Sequence, residues 1–368
     1  MRRFDQVKRV VVKIGTNVLT TGDELDRDYI DSVAEQIAGI RADGREVCLV
    51  SSGAIGLGAL ELGVTGRVQD VVLRQACAAV GQPRLMHVYR DAFRRQNLQI
   101  GQVLITREVF NDRNSYVRLR NAVERLLELG VIPIFNENDS VATAEIGTAF
   151  GDNDQLSALV ASKVDAGLLI LLSDIDAYYD ADPRRSTEAR PVHTVQIVTD
   201  EMLSSAGRAG SVRGTGGMRT KLMAVRIAAD GGCRVVLAHG REERVLSRIF
   251  AGEEVGTVFA ARRTLRNRSR WLLHSKPRGM IRVDDGAMSA IRRHNSLLVT
   301  GVVAVEGNFE AGDVVLVNDA AKLVSAFGSR ELERLIGHHS SEIPEILGHT
   351  DERRLVARPE EIVFFDGD

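Results

Sequence analysis

The sequence predicts an α/β fold, a largely parallel sheet sandwiched by helices, followed by a small β-rich domain. Three observations carry this. Short apolar runs alternate with amphipathic stretches of helical spacing through about the first 260 residues, and parallel strands need such crossovers. Composition agrees: 44% hydrophobic and 27% charged residues, with 34 Gly against 7 Pro, suit a folded chain with many tight strand-to-helix turns. Beyond Pro277 the apolar segments shorten and are separated by glycine-containing turns. At 368 residues the chain exceeds a single typical core. The expected division is an α/β domain over 1–260, a basic linker over 261–276 and a β-rich domain over 277–368.

Val10-Val11-Val12-Lys13-Ile14-Gly15-Thr16-Asn17 reads as a buried strand that ends in a cation beside a glycine. In open α/β sheets ligands bind outside the carboxyl ends of the strands, so Lys13 is placed to meet an anion, and Gly15 lets backbone N–H groups approach it. A helix follows from about Asp28 to Ala42, with Ile30, Val33, Ile37 and Ile40 on one face and Gly44 as its stop. The strand Glu46 to Val50 runs into Ser51-Ser52-Gly53-Ala54-Ile55-Gly56. Helical stretches Asp70 to Val80 and Arg84 to Gln96 are expected to be divided by Gly81-Gln82-Pro83, because proline interrupts a helix. Next come a strand near Gln99 to Thr106, a helix from Asn114 to Leu129 and the strand Val131 to Phe135. A helix from Asp154 to Val164, the strand Leu168 to Leu172, a helix from Met218 to Ala229 and the strand Arg234 to Ala238 complete this part. In the tail, Leu297 to Val305 and Val314 to Val317 read as strands joined by a glycine-containing loop, with Lys322 to Ala326 as a third and a helix near Arg330 to Ile336.

A formal net charge of -2 gives no general attraction to nucleic acid or to an anionic membrane. Residues 277–368 hold 10 Lys+Arg against 16 Asp+Glu, so the tail lacks the footprint of an RNA-binding module. Only Arg262, Arg263, Arg266, Arg268, Arg270 and Lys276, a run without an acidic residue, point the other way. Cys48, Cys77 and Cys233 are scattered and lack CxxC spacing, which fits a reducing cytoplasm better than a disulfide framework or a zinc site. No run approaches the ~20 apolar residues of a membrane span.

Several strand ends carry polar residues suited to one crevice. The small residues from Ser51 to Gly56 offer free N–H groups at a helix start, a cradle for a carboxylate or phosphate, although their glycine spacing is not the dinucleotide fingerprint. Asn136-Glu137-Asn138-Asp139 follows one strand, Gly151-Asp152-Asn153-Asp154 opens a helix, and Ser173-Asp174 ends another strand. Turn chemistry alone explains such residues singly, but their number weakens that explanation. Gly214-Thr215-Gly216-Gly217-Met218-Arg219-Thr220-Lys221 leads into a helix with a second lysine, without the Walker A order. No protein-kinase signature and no Ser/His/Asp order occurs. Chemistry without a general base suits a nucleophile already ionised at pH 7, and a carboxylate with a pKa of about 4.3 is one. Phosphoryl transfer then needs chiefly in-line positioning and cations, which Lys13, Lys221, Mg²⁺ and backbone amides can provide.

The motifs VVKIGTNVL, SSGAIGLG, NENDSVATAE, GDNDQLSAL and GTGGMRTK, with VEGNFEAGD in the tail, resemble those of the glutamate 5-kinase family in the amino acid kinase superfamily. The resemblance covers nearly the whole chain and implies an amino acid kinase catalytic domain followed by a PUA domain, a small β-rich PUA-like barrel. It implies ATP-dependent phosphorylation of the side-chain carboxylate of L-glutamate, the first step of proline synthesis, in the cytoplasm, with Mg²⁺. It also implies a homo-oligomer (dimer or tetramer) and feedback inhibition by proline. By matching motif, Lys13, Lys221 and Asp154 resemble the catalytic residues, and Ser52, Asp139 and Asn153 the glutamate contacts. Lys13, Ser173, Asp174, Thr215, Gly216, Gly217, Met218, Arg219, Thr220 and Lys221 resemble the ATP site. Asp176-Ala177-Tyr178-Tyr179 stands where the family leads one to expect a glycine-leucine-tyrosine turn, and Gly147-Thr148-Ala149-Phe150 lengthens the link before GDND. The alternatives are another amino acid kinase, such as acetylglutamate kinase, or an RNA-associated role for the PUA-like domain.

Overall fold

A computed structural model describes residues 2–22, 24–66, 68–141, 153–184, 186–207, 217–262, 271–273, 275–347 and 353–365. They form two compact units, residues 1–264 and 265–368.

The first unit is built on an eight-stranded sheet. Its strands are β1 (Arg9–Ile14), β2 (Glu46–Ser51), β3 (Ile100–Ile105), β4 (Ile132–Glu137), β5 (Leu168–Ser173), β6 (Thr194–Val195), β7 (Arg234–His239) and β8 (Thr257–Phe259), in the spatial order β3-β4-β2-β1-β5-β7-β8-β6. The six strands from β3 to β7 in this order are mutually parallel. β8 runs antiparallel to β7, and β6 lies parallel to β8. Register aligns the carboxyl ends: Ile14 faces Ser51 and Leu172, Ile105 faces Glu137, and Ser173 faces His239.

Side chains alternate across the pleat, so the valines of β1 divide between two cores. Val10, Val12 and Ile14 pack with Ile30, Val33 and Ile37 of α1 (Arg27–Ala42) and with Leu85, Tyr89 and Phe93 of a long helix. Val11 packs on the other face with Val123 of α4 (Arg113–Glu128), Leu156 of α5 (Asn153–Lys163) and Leu222 of α7 (Met218–Asp230). This parity decides where Lys13 points. Two residues after Val11, it shares the face covered by α5 and α7, the helices that carry Asp154 and Lys221. Caps fix the helix entries. Asp26 accepts from the Tyr29 N–H (3.0 Å) and starts α1 one residue before the expected Asp28.

One expectation in this unit is corrected. Residues 71–95 form a single helix, α3 (Val71–Arg95), with Pro83 inside it. The reason is tertiary. α3 crosses α2 (Ala54–Glu61) so closely that a Cβ on Gly58 would lie 1.7 Å from the Cys77 carbonyl oxygen, and one on Gly81 would lie 1.9 Å from that of Ala54. Continuous packing here outweighs the local cost of proline. Elements not read from the sequence complete the unit: β6 and β8, the short helical turns Thr16–Leu19 and Arg107–Asn111, α6 (Asp200–Gly207), α8 (Val245–Phe250) and a two-residue hairpin pair, Thr20–Thr21 with Glu24–Leu25.

The second unit has a five-stranded sheet of β9 (Gly279–Val283), β10 (Val302–Gly307), β11 (Val314–Val317), β12 (Ala321–Val324) and β13 (Ile362–Phe364), in the order β10-β9-β11-β12-β13. A loop over residues 308–313, two residues shorter than expected because the strand runs on to Gly307, joins β10 to β11, but β9 lies between them, antiparallel to β10 and parallel to β11. The expected strand start at Leu297 is a single bridge to Ala357 followed by a 3₁₀ turn, Val299–Gly301. α9 (Asp285–Arg292), capped by Asp284, and α10 (Ser329–Leu335) are its longer helices. Ile281, Val315, Leu323, Phe327 and Leu332 are among the residues of its separate core.

Candidate active site

Lys13 on β1, Asp154 in the first turn of α5 and Lys221 in the first turn of α7 meet at the carboxyl ends of the strands, each at most 4% exposed. Each carboxylate oxygen of Asp154 serves one ammonium: Oδ1 lies 2.5 Å from Lys13 Nζ, and Oδ2 accepts from Lys221 Nζ at 3.0 Å. The helix dipole at the α5 N-terminus favours the ionised carboxylate. Two ammoniums against one carboxylate leave the triad at +1, a buried field suited to an anion. Gly15 lies against the triad, where a Cβ would stand 3.6 Å from Lys13 Nζ in ordinary contact, and its N–H is taken by the Leu172 carbonyl at 3.0 Å.

The triad borders a cavity of about 670 Å³. Its described lining includes Lys13, Lys221, Ser52, Asp139, Asn153, Ser173 and Asp174, so these expected site residues share one space. Asp154 lies just behind them, 0% exposed. Gly217, Met218, Arg219 and Thr220 cap and open α7 and are not among the described lining residues; Thr220 Oγ1 instead donates to the Gly217 carbonyl at 2.8 Å. Thr215, Gly216 and Gly147-Thr148-Ala149-Phe150 lie outside the described residues.

Two walls can be traced to particular bonds. On one, Asp174 Oδ2 accepts from Asn17 Nδ2 at 2.8 Å and Oδ1 from Ser173 Oγ at 3.0 Å. Burial opposes its charge, but these bonds and the nearby Lys221 hold its pKa below the usual carboxylate value. On the other, Asn153 Nδ2 donates to Asn136 Oδ1 (2.9 Å), and Asn136 Nδ2 donates to Gln82 Oε1 (2.7 Å). This amide chain ties α3, the end of β4 and the start of α5 together, and so fixes the residue next to Asp154. Asp139 sits in the turn beyond β4. Burial pushes its pKa up to about 6, against the opposing pull of the Arg74 guanidinium.

Sequence reasoning gave no role to Asn17, Arg74, Asn136 or Gln82. Gln82 carried a readable signal, a polar residue in the helical row Ala78, Gln82, Leu85, Tyr89 that is otherwise buried and largely apolar. Arg74 carried none, because an exposed helix arginine is ordinary.

Residues 8–239 match the amino acid kinase family, and residues 279–347 match the PUA domain. The chain is 43% identical to the glutamate 5-kinase of Methanosarcina barkeri over 96% of both chains, and 43% identical to that of Geobacter sulfurreducens over 98% of both. Among solved structures, UMP kinase from Ureaplasma parvum aligns with a TM-score of 0.48 and 16% identity, over 71% of this chain and 100% of that one. The chain therefore belongs to the amino acid kinase family, in its glutamate 5-kinase branch, with a C-terminal PUA domain.

Proposed function

We propose that the Lys13–Asp154–Lys221 triad is where the γ-phosphoryl group of ATP passes to the side-chain carboxylate of L-glutamate, giving L-glutamyl 5-phosphate and ADP. The observation that carries the reading is the triad itself, two ammoniums held by one buried carboxylate at the edge of the cavity. A carboxylate oxygen forms a bond to the γ-phosphorus, and the bond to the β–γ bridging oxygen breaks with its electron pair leaving on ADP. No proton needs to move, in keeping with the lack of a base signature. Lys13 and Lys221, already oriented by Asp154, stabilise negative charge on the transferring oxygens without reorganising. Backbone N–H groups at the start of α2, reached through Gly53 in the left-handed conformation (φ 103°), are placed to orient an anionic group.

Asp139 is assigned to the α-ammonium of glutamate, which separates this substrate from N-acetylglutamate, whose nitrogen is neutral. Ser52 and Asn153 are assigned to glutamate, and Ser173, Asp174 and residues 215–221 to ATP. Mg²⁺ fits this donor set, since it binds through one or two carboxylates plus substrate phosphates, and Asp174 is an ionised carboxylate on the wall. It would neutralise phosphate charge when bound. Cytoplasmic location, assembly as a dimer or tetramer and inhibition by proline belong to the same reading and rest on the family resemblance. Among the described residues no helix is long and apolar enough to cross a membrane. The test supplies ATP, Mg²⁺ and hydroxylamine, which traps acyl phosphates. Hydroxamate is expected with L-glutamate and not with N-acetylglutamate or aspartate; the reverse preference would overturn the substrate assignment.

A further inference from the structure

Three cations stand among the described residues of the cavity wall, Lys13, Arg74 and Lys221. Lys13 and Lys221 are engaged with Asp154. Arg74 is exposed on the first turn of α3, where the Asp70 cap fixes the helix start through the Leu73 N–H (2.7 Å). Its charge reaches Asp139, which lines the same cavity from the turn beyond β4, yet among the described residues no closed ion pair joins the two. The cavity wall thus holds an exposed guanidinium and a largely buried carboxylate within electrostatic reach of each other, apart from the triad.

An α-amino acid head has the complementary pattern, an ammonium and a carboxylate on one carbon. Bound against this wall, the ammonium would neutralise Asp139 and the carboxylate Arg74, and each side chain would gain a charge-assisted partner. The side chain is then left to carry its own carboxylate toward the lysines.

Resting on the phosphotransfer reading above, we infer that Arg74 anchors the α-carboxylate of glutamate and, with Asp139, selects for a zwitterionic head. Arg74 is a specificity residue that takes no part in the chemical step, so its loss falls on glutamate KM. An exposed side chain can be changed without disturbing the core.

The test compares wild type with Arg74→Gln and Arg74→Lys on L-glutamate and on its α-amide, which keeps the ammonium and the side-chain carboxylate but lacks the second negative charge. Rates come from hydroxamate trapping, and inhibition of glutamate turnover by the amide reports its binding. For Arg74→Gln we expect glutamate KM to rise about 30-fold or more, in line with loss of a charged contact, while ATP KM stays within about threefold. The preference for glutamate over its amide should shrink at least about tenfold, and Arg74→Lys should fall between wild type and Gln. A glutamate KM within about twofold of wild type in Arg74→Gln overturns the assignment. So does an equal loss toward glutamate and the amide, which would place Arg74 in shaping the cavity or supporting Asp139. No hydroxamate from wild type and glutamate would overturn the kinase reading itself, whereas normal wild-type turnover with an indifferent Arg74 strikes this inference alone.

Discussion

Two buried lysines on one buried aspartate make the three side chains unequal in what they do for the fold and for the reaction. Lys13→Met leaves Asp154 with Lys221, a neutral pair, and Lys221→Met leaves the mirror arrangement. Each variant should fold and lose at least about 100-fold in kcat, the usual cost of removing one preorganised charge, with a much smaller change in glutamate KM. Asp154→Asn leaves two ammoniums without their shared carboxylate, and breaking a buried pair costs about 3–5 kcal/mol. Chemical denaturation should therefore rank Asp154→Asn well below either lysine variant; equal stabilities would mean that the triad is not electrostatically closed. Asp139 behaves in the opposite way, because its pKa near 6 lies above its ordinary value. A raised carboxyl pKa means that the folded protein holds the proton more tightly than the unfolded chain, so stability falls as pH rises from about 4 to 6 and the penalty is complete at neutral pH. Asp139→Asn should gain about 1 kcal/mol at pH 7, after allowance for partial exposure, and nothing below about pH 4, while it raises glutamate KM. Wild-type kcat/KM for glutamate should decline below about pH 6 as Asp139 is protonated. A pH-independent difference in stability between wild type and Asp139→Asn would remove the desolvated charge from the account.

At the scale of elements, the crossing of α2 and α3 shapes one wall of the cavity, since α2 starts at the cavity and α3 carries Arg74 and Gln82. Gly58→Ala and Gly81→Ala place a methyl inside the van der Waals radius of a backbone oxygen. Overpacking of this kind costs about 1–3 kcal/mol, which outweighs the gain of up to ~1 kcal/mol that alanine brings to a helix. Gly56→Ala on the same helix, with nothing within 4 Å of the added carbon, is the control and should be neutral or stabilising. Thermal melts of the three variants check the contrast; a destabilised Gly56→Ala beside an unaffected Gly58→Ala would refute it. The same crossing shows what sequence could and could not convey. β1, β2, β4, β5 and β7 and helices α1, α4, α5 and α7 were legible, because each buries a continuous apolar run or a clear helical face. Pro83 misled, since its local cost is visible in sequence and the neighbouring helix that offsets it is not. β6 and β8 have 2 and 3 residues, too short for any periodicity, and are set by the sheet edge they join. Among the candidate site residues, Lys13, Ser52, Asp139, Asn153, Asp154, Ser173, Asp174 and Lys221 stood in motifs at strand and helix ends, where polar residues are conspicuous. Asn17 and Asn136 lay inside those motifs, but their roles come from partners far away in sequence, Asp174 and Gln82.

For the whole molecule, the two units have separate hydrophobic cores. The sheet cores of the first draw on residues from Phe4 to Phe259, and the core of the second on residues from Ile281 to Phe364. A chain ending at residue 264 keeps every buried apolar residue of the first two cores, together with the triad and the cavity wall. Burial of apolar area is the chief stabilising term, so this fragment should fold. In the second unit, Lys322 donates to the Leu273 and Ser275 carbonyls at 2.7 and 2.8 Å, and burial pushes its pKa down to about 8. Its folded pKa lies below the ordinary lysine value, so the folded unit releases this proton more readily than the unfolded chain, and the desolvation penalty is present while the ammonium is charged. Stability of the second unit should accordingly rise between about pH 8 and 10, and Lys322→Met should remove that rise. The fragment 1–264, which lacks Lys322, should show no such rise in its melts; burial raises the pKa of its Cys48, so its stability should fall over the same range. It should also form glutamyl phosphate with a kcat within about tenfold of the full chain, since the groups assigned to the chemical step all precede residue 222. Turnover by a soluble, cooperatively melting fragment is the deciding measurement. Loss of turnover without loss of folding would show that the PUA-bearing unit completes the active site, and the division of labour argued here would have to be redrawn.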